Sequence, residues 1–444
     1  MNEVTPIRTP VEQALAAAFE GAKQRLPGGP DFARQRRAAF DAFLDSGLPH
    51  RRIEEWKYTD LRVLMREAAP LAGPPDKNAI ARAKKSEPLP GVKTRRLTLI
   101  DGTFVPALSD LQGLEQNLSV VPLAKALSDK HPLTRRLGSI KLETHDAALS
   151  LNTAFLGDGV LIEVGEGVVL QHPIHIRHVF AGKAPAATFA RTLFAVGKDA
   201  NATLVESFEG PDDVAYQTNA ALELHVGDRA KVALVRLQAE GDAALHVSTH
   251  LIEIGGGSEL RSCALTTGAA ISRQSVTLRF AAQRSSAHLA GATLLRGRQH
   301  ADTTLVIDHA VPACDSREIF KSVLDDVSRG IVQGRIVVRP DAQKTDARMM
   351  LRALLLAEDA EADHKPELEI FADDVLCAHG ATSGAIEETL LFYLMTRGIP
   401  RKEAETLLIQ AFFGEAIDEI EHENLRAALT ARAQAWLAAR ELSR

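Results

Sequence analysis

The chain has 444 residues, 45% hydrophobic and 25% charged, a globular composition that allows two or three domains and excludes a disordered, collagen-like or disulfide-scaffold protein. Lysine plus arginine, 52, against aspartate plus glutamate, 58, leaves a net charge of -6, which offers no basic field for a phosphate backbone and argues against nucleic acid as a partner. Three scattered cysteines, no basic-then-apolar leader and no run near the ~20 apolar residues of a membrane span make a soluble, cytoplasmic protein the expectation.

From about Thr5 to Glu67 the apolar spacing is helical. Leu15, Phe19, Ala22 and Leu26 recur every three or four residues, and Phe32, Phe40, Phe43 and Leu44 mark a second helix. Pro27-Gly28-Gly29-Pro30 separates the two, and Gly47-Leu48-Pro49 ends the second. The proline-rich stretch Ala69 to Val92 reads as a linker, so residues 1-95 are expected to form a helical domain and linker.

Residues 96-384 change to short β-rich runs. In LELHVGD, Leu222, Leu224 and Val226 face one way, Glu223 and His225 the other. Val164-Gly165, Val196-Gly197, Val226-Gly227 and Ile254-Gly255 end such runs at intervals of 32, 30 and 28 residues, with weaker echoes at Phe280, His309, Val338 and Phe371. A sandwich has no reason to repeat a turn every ~30 residues, whereas a stack of coils does. Helical spacing returns in residues 385-444, first with Leu390, Leu391 and Leu394. A second helix carries Ala404, Leu408 and Phe412, and a third Leu425, Leu429, Ala433 and Trp436. The expected fold is mainly β, a parallel β-helix core flanked by N-terminal and C-terminal α-helical domains.

Common catalytic motifs are absent: there is no G-x-x-x-x-G-K-[ST], no G-x-S-x-G and no H-E-x-x-H. His172, His175 and His178 lie on a strand pattern, where positions three apart face opposite ways, so they cannot converge on one metal. His246, Ser248 and His250 share a face, but two imidazoles and a hydroxyl are a poor ligand set. The segment FADDVLCAHGATSG, Phe371 to Gly384, differs. Cys377 and His379 are two apart on one strand face, and a thiolate beside an imidazole can hold iron or zinc. A closed site needs about four ligands. Either this is a buried cysteine beside a hydrogen-bonded histidine, or the remaining ligands come from elsewhere, such as a partner chain.

QGRIVVRPDAQKTDA (Gln333 to Ala347), LLLAEDAEADHKPELEIFADDVLCAHGAT (Leu354 to Thr382) and LFYLMTRGIP (Leu391 to Pro400) together resemble the SufB/SufD family of the Suf iron-sulfur cluster assembly machinery. LNTAFLGDGV (Leu151 to Val160) and HPIHIRHV (His172 to Val179) extend the likeness, and RRIEEWKYTDL (Arg51 to Leu61) looks like the signature of the SufD branch. The resemblance implies a non-enzymatic scaffold that pairs with SufB and the ATPase SufC. A transient Fe-S cluster would form at the interface with SufB, with His379 as the expected ligand and Cys377 as a second candidate. It also implies that SufC docks on the C-terminal helices, taking up apolar stripes in excess of what three short helices can cover. Homodimerisation of the isolated chain and flavin binding by the assembled complex are left open. Val332 stands where the family often has phenylalanine, and RMMLRA, Arg348 to Ala353, where Gln and Asn are common. The rival readings are a β-helix polysaccharide lyase or hydrolase, for which no repeated carboxylate set is found, and a purely structural homodimer in which His379 only packs.

Overall fold

The structure is a computed structural model that describes residues 8-442, so Thr5, the expected start of the first helix, lies outside the described residues. Helices Pro10–Ala22 and Pro30–Ser46 open the chain. The Thr9 hydroxyl accepts from the Glu12 N–H while the Glu12 carboxylate accepts from the Thr9 N–H, a reciprocal cap. Glu12 also accepts from the Leu48 N–H and pairs with Arg62, which ties the end of the second helix, at Gly47 (φ +70), to the start of the first. Phe19 and Phe40 stack at 4.0 Å and Phe155 meets both edge-on. Phe155 belongs to a helix, Ala147–Phe155, inside the stretch expected to be β-rich.

Beyond this layer the strands alternate between two sheets, one of ten strands ending at Leu376–Gly384, the other of nine ending at Glu361–Ile370. Pairing from coil to coil is parallel and in register. Val196, Val226, Ile254, Phe280, His309, Val338 and Ile370 form one continuous column, which is the origin of the ~30-residue repeat. The expected last echo, Phe371, is one residue out: Ile370 holds the ladder position. Glycine follows the column at Val196, Val226 and Ile254, where the turns stack closely. A Cβ at Gly227 would lie 2.7 Å from the backbone of the turn below. Inward residues such as Leu204, Leu222, Leu224, Leu234, Ile252, Leu278, Ile307 and Ile336 fill the lumen, each worth about 1.5–3 kcal/mol of burial.

Helices Arg401–Ile417 and Glu423–Leu442 cover the outer face of the ten-stranded sheet. Ile409, Phe413, Ile417, Leu425, Leu429 and Trp436 pack on Val205, Val235, Cys263, Ala290 and Val323. Buried Lys321 lies under the Phe412 ring and pairs with Glu415, and Arg440 pairs with Asp325. This corrects the expectation of surplus stripes. Leu425, Leu429 and Trp436 are spent on the β core, and Leu408 and Phe412 are half-buried.

The outer face of the nine-stranded sheet holds the RRIEEWKYTDL segment. The Arg273 guanidinium sits 4.1 Å from the Trp56 ring centroid, pairs with Asp302 and donates to the Glu55 carbonyl; the Thr59 hydroxyl donates to Asp302 at 2.5 Å. Gln333 also donates to the Glu55 carbonyl at 3.3 Å, so two of the sequence motifs meet in space. The two ends of the solenoid differ. Antiparallel strands Thr103–Phe104 and Leu118–Pro122 close the first, while Glu361–Ile370 and Leu376–Gly384 leave the last as edges with no further strand among the described residues. No described helix is long and apolar enough to cross a membrane.

Candidate functional site

The strand Leu376–Gly384 pairs with Asp346–Leu355 so that Cys377 stands opposite Ala347 and His379 opposite Met349. Ala347, Met349 and Leu351 are buried in the lumen. Pleating therefore turns Cys377 and His379 the same inward way, on the rim of the open end. Cys377 is half-buried against the core; His379 is exposed and makes no hydrogen bond among the described residues. Burial pushes the Cys377 thiol up; its bond with the Ala347 backbone opposes this, and the charges of Asp346 and Glu318 push it further. These influences together favour the neutral thiol. Among the described residues no three His, Cys, Asp or Glu side chains converge as a metal site, so Cys377 and His379 stand as a pair.

Large apolar side chains are exposed in this part of the chain. Phe371 is 58% and Leu376 66% exposed, and on the next helix, Glu388–Thr396, Phe392 is 67% exposed beside exposed Leu390, Tyr393 and Met395. Unpaired strand edges and exposed aromatics are the kinds of surface that other chains commonly cover.

The other histidines fall as alternation dictates. His172 precedes the strand Ile174–Val179; His175 faces outward and bonds Ser207 at 2.8 Å; His178 faces the lumen, stacked on Phe208 at 4.4 Å. His246 and His250 are buried inside the solenoid. His246 meets Glu240 at 2.5 Å and Arg236 at 2.7 Å, and His250 meets Glu206 at 3.1 Å. Burial would raise the Glu206 carboxyl, but hydrogen bonds and charge from His178 and His250 outweigh it and hold it well below the usual range. These groups make an internal polar network. Sequence reasoning missed it, and missed a further buried acid, Glu318, although charged residues at inward parity, as Glu206 and Arg236 are, would have signalled it.

The fold is a stacked parallel β-solenoid, closed by antiparallel strands at one end and ending, among the described residues, in two edge strands at the other, the last of which carries Cys377 and His379. The chain belongs to the SufBD family. Residues 178-412 match the model described as SUF system FeS cluster assembly, SufBD core domain, and residues 19-176 match the SufBD protein N-terminal region. An iron-sulfur cluster assembly SufBD family protein of Synechocystis is 29% identical over 434 residues, 95% of each chain. The iron-sulfur cluster assembly protein SufD of Escherichia coli is 29% identical over 397 residues, 88% of this chain and 89% of that one. SufD of Bacillus subtilis is 26% identical over 296 residues, 65% of this chain and 66% of the other.

Proposed function

We propose that this chain is a SufD-type scaffold subunit without catalytic activity of its own. It would act in the cytoplasm and pair with SufB so that a nascent Fe-S cluster, as cargo, is held between the two. The observation that carries this reading is the uncapped end with His379 free on its rim and Cys377 beside it. A paralogous solenoid has the same strand spacing, so its end coil can add to these edges by main-chain hydrogen bonds, a common recognition mode. Such a partner brings the ligands that the rim lacks; without it, two copies can join through the same edges. Support for SufC docking on residues 385-444 comes from helix Glu388–Thr396, whose Leu390, Phe392 and Tyr393 are exposed while the two later helices cover the core. Aromatic anchors of this kind carry much of the energy of an interface.

The test is His379→Ala in cells that depend on the complex. Assembly with SufB and SufC should persist by gel filtration, while maturation of iron-sulfur enzymes falls. A fully assembled complex with wild-type maturation would remove the metal-ligand role and leave His379 a packing residue.

A further inference from the structure

Buried polar groups nearly always find hydrogen-bond partners, and one that does not marks a water, an ion or a chemical role. Glu318 is such a group. With Ser316 and Phe320 it points into the lumen from the strand Asp315–Leu324; it is 0% exposed, and neither carboxyl oxygen has a well-formed hydrogen bond. Register places it in the inward column that ends at the rim, Glu318 opposite Met349 and Met349 opposite His379. Neighbouring strands lie about 4.8 Å apart, so the Glu318 backbone is about 10 Å behind that of His379. The next inward column is Ser316, Ala347 and Cys377, and the small Ala347 puts little bulk between the carboxyl and the thiol. Met349 reaches across the lumen to Gly334, where a Cβ would lie 2.3 Å from its sulfur. Glu318 sits beneath this adaptable thioether, two strands in from the edge.

Among the described residues no counter-cation faces it. His309, whose Nε2 lies 3.1 Å from the Ser316 hydroxyl, is kept neutral by burial, down to about 4. Arg317 points to the outer face and is engaged by Asp346. Burial pushes the Glu318 carboxyl up to about 8, only partly opposed by Ser316 and the Arg317 charge, so at neutral pH its partner is a proton. The lumen thus holds an uncharged acid two strands behind the edge that carries Cys377 and His379.

We propose that Glu318 is the charge-compensating group of the rim: a divalent transition-metal cation held by Cys377 and His379 drives off the Glu318 proton, and the carboxylate left behind stabilises the cation from inside the lumen. The inference rests on the reading of Cys377 and His379 as metal ligands and adds to it a residue that ligand spacing does not reveal. As the cation binds, the Cys377 S–H and the Glu318 carboxylic O–H break, both protons leave to solvent, and no electron moves. Thiolate and imidazole donors suit Fe2+, Co2+ or Zn2+. A carboxylate about 10 Å from a dication at an effective dielectric of ~20, after the cost of deprotonation at neutral pH, raises affinity by about tenfold.

Anaerobic calorimetric titration of the full chain with CoCl2 at pH 7, in two buffers of different ionisation enthalpy, counts the protons released, and the thiolate-to-cobalt absorption band reports ligation. The wild-type chain should release about one proton more than Glu318→Gln and bind about tenfold more tightly, and His379→Ala should lose both band and binding. Equal proton counts and affinities for wild type and Glu318→Gln overturn the inference, while loss in His379→Ala still upholds the rim as a ligand site. A His379→Ala chain that binds like wild type overturns the rim reading itself. Absence of cobalt binding by the wild-type chain overturns the inference and leaves the rim to the maturation assay. Should Glu318→Gln not fold, Glu318→Met fills similar volume without charge and carries the same comparison.

Discussion

Glu318→Gln should stabilise the protein, and more so as pH rises. The carboxyl stands at about 8 in the folded chain against an ordinary value near 4.5. A group with a raised folded value contributes its full share of stability below about pH 4.5, and that share is lost as pH climbs through about 8. At pH 7 the unfolded chain releases the proton and the folded chain keeps it, a difference of about 2.5 units or roughly 3 kcal/mol; above pH 8 it levels near 5 kcal/mol. Glutamine buries a similar neutral amide and does not titrate. The side chain is wholly buried, so solvent screening does not reduce the effect. Urea unfolding followed by far-UV circular dichroism at pH 5, 6, 7 and 8 should show the variant's midpoint pulling ahead of wild type with each step. A difference that stays flat across pH, or a wild type that is the more stable at pH 8, would refute the assignment of Glu318 as a neutral acid in the lumen.

Gly334→Ala should destabilise by about 1–3 kcal/mol through overpacking against Met349, read as a lower urea midpoint, and Met349→Ala in the same chain should relieve part of it; additive losses would exclude the contact. Arg273→Ala strips buried Asp302 of its cation and should cost about 3–5 kcal/mol, with limited proteolysis releasing the segment around Trp56 before the β core is cut. Phe392→Ala with Tyr393→Ala should weaken SufC binding by 2 kcal/mol or more in a titration while leaving thermal unfolding unchanged; undiminished affinity would move the ATPase site off this helix.

The solenoid was legible because stacking writes itself into sequence: each coil needs an inward apolar column, and the early coils add a glycine, at Gly165, Gly197, Gly227 and Gly255, where the turns stack closely. The rim pair was legible for a related reason, since residues two apart on a strand share a face. Other features depended on partners that sequence does not display. The stripe of Leu425, Leu429 and Trp436 looks the same whether it awaits another chain or lies on Val235 and Val323 of its own. Glu318 was hidden by its neighbour. In Ser316-Arg317-Glu318-Ile319-Phe320 the apolar Ile319 invites placement inside, yet Phe320 fixes the opposite parity and carries the acid into the core. Helix Ala147–Phe155 escaped notice because its apolar residues sit beside β-like runs, and its packing on Phe19 and Phe40 comes from residues more than a hundred positions away.

In-register stacking also sets which insertions and deletions this architecture can survive. Removing or duplicating a whole coil of about 30 residues shifts the rim by one strand spacing and leaves Cys377 and His379 turned inward at an open edge. A single extra residue in the strand before them has the opposite effect, since it reverses the parity of everything that follows and throws both side chains to the outer surface. Lineages carrying this fold should therefore differ in length by whole coils or within the connecting turns, while the strand from Leu376 to Gly384 keeps its count to the residue.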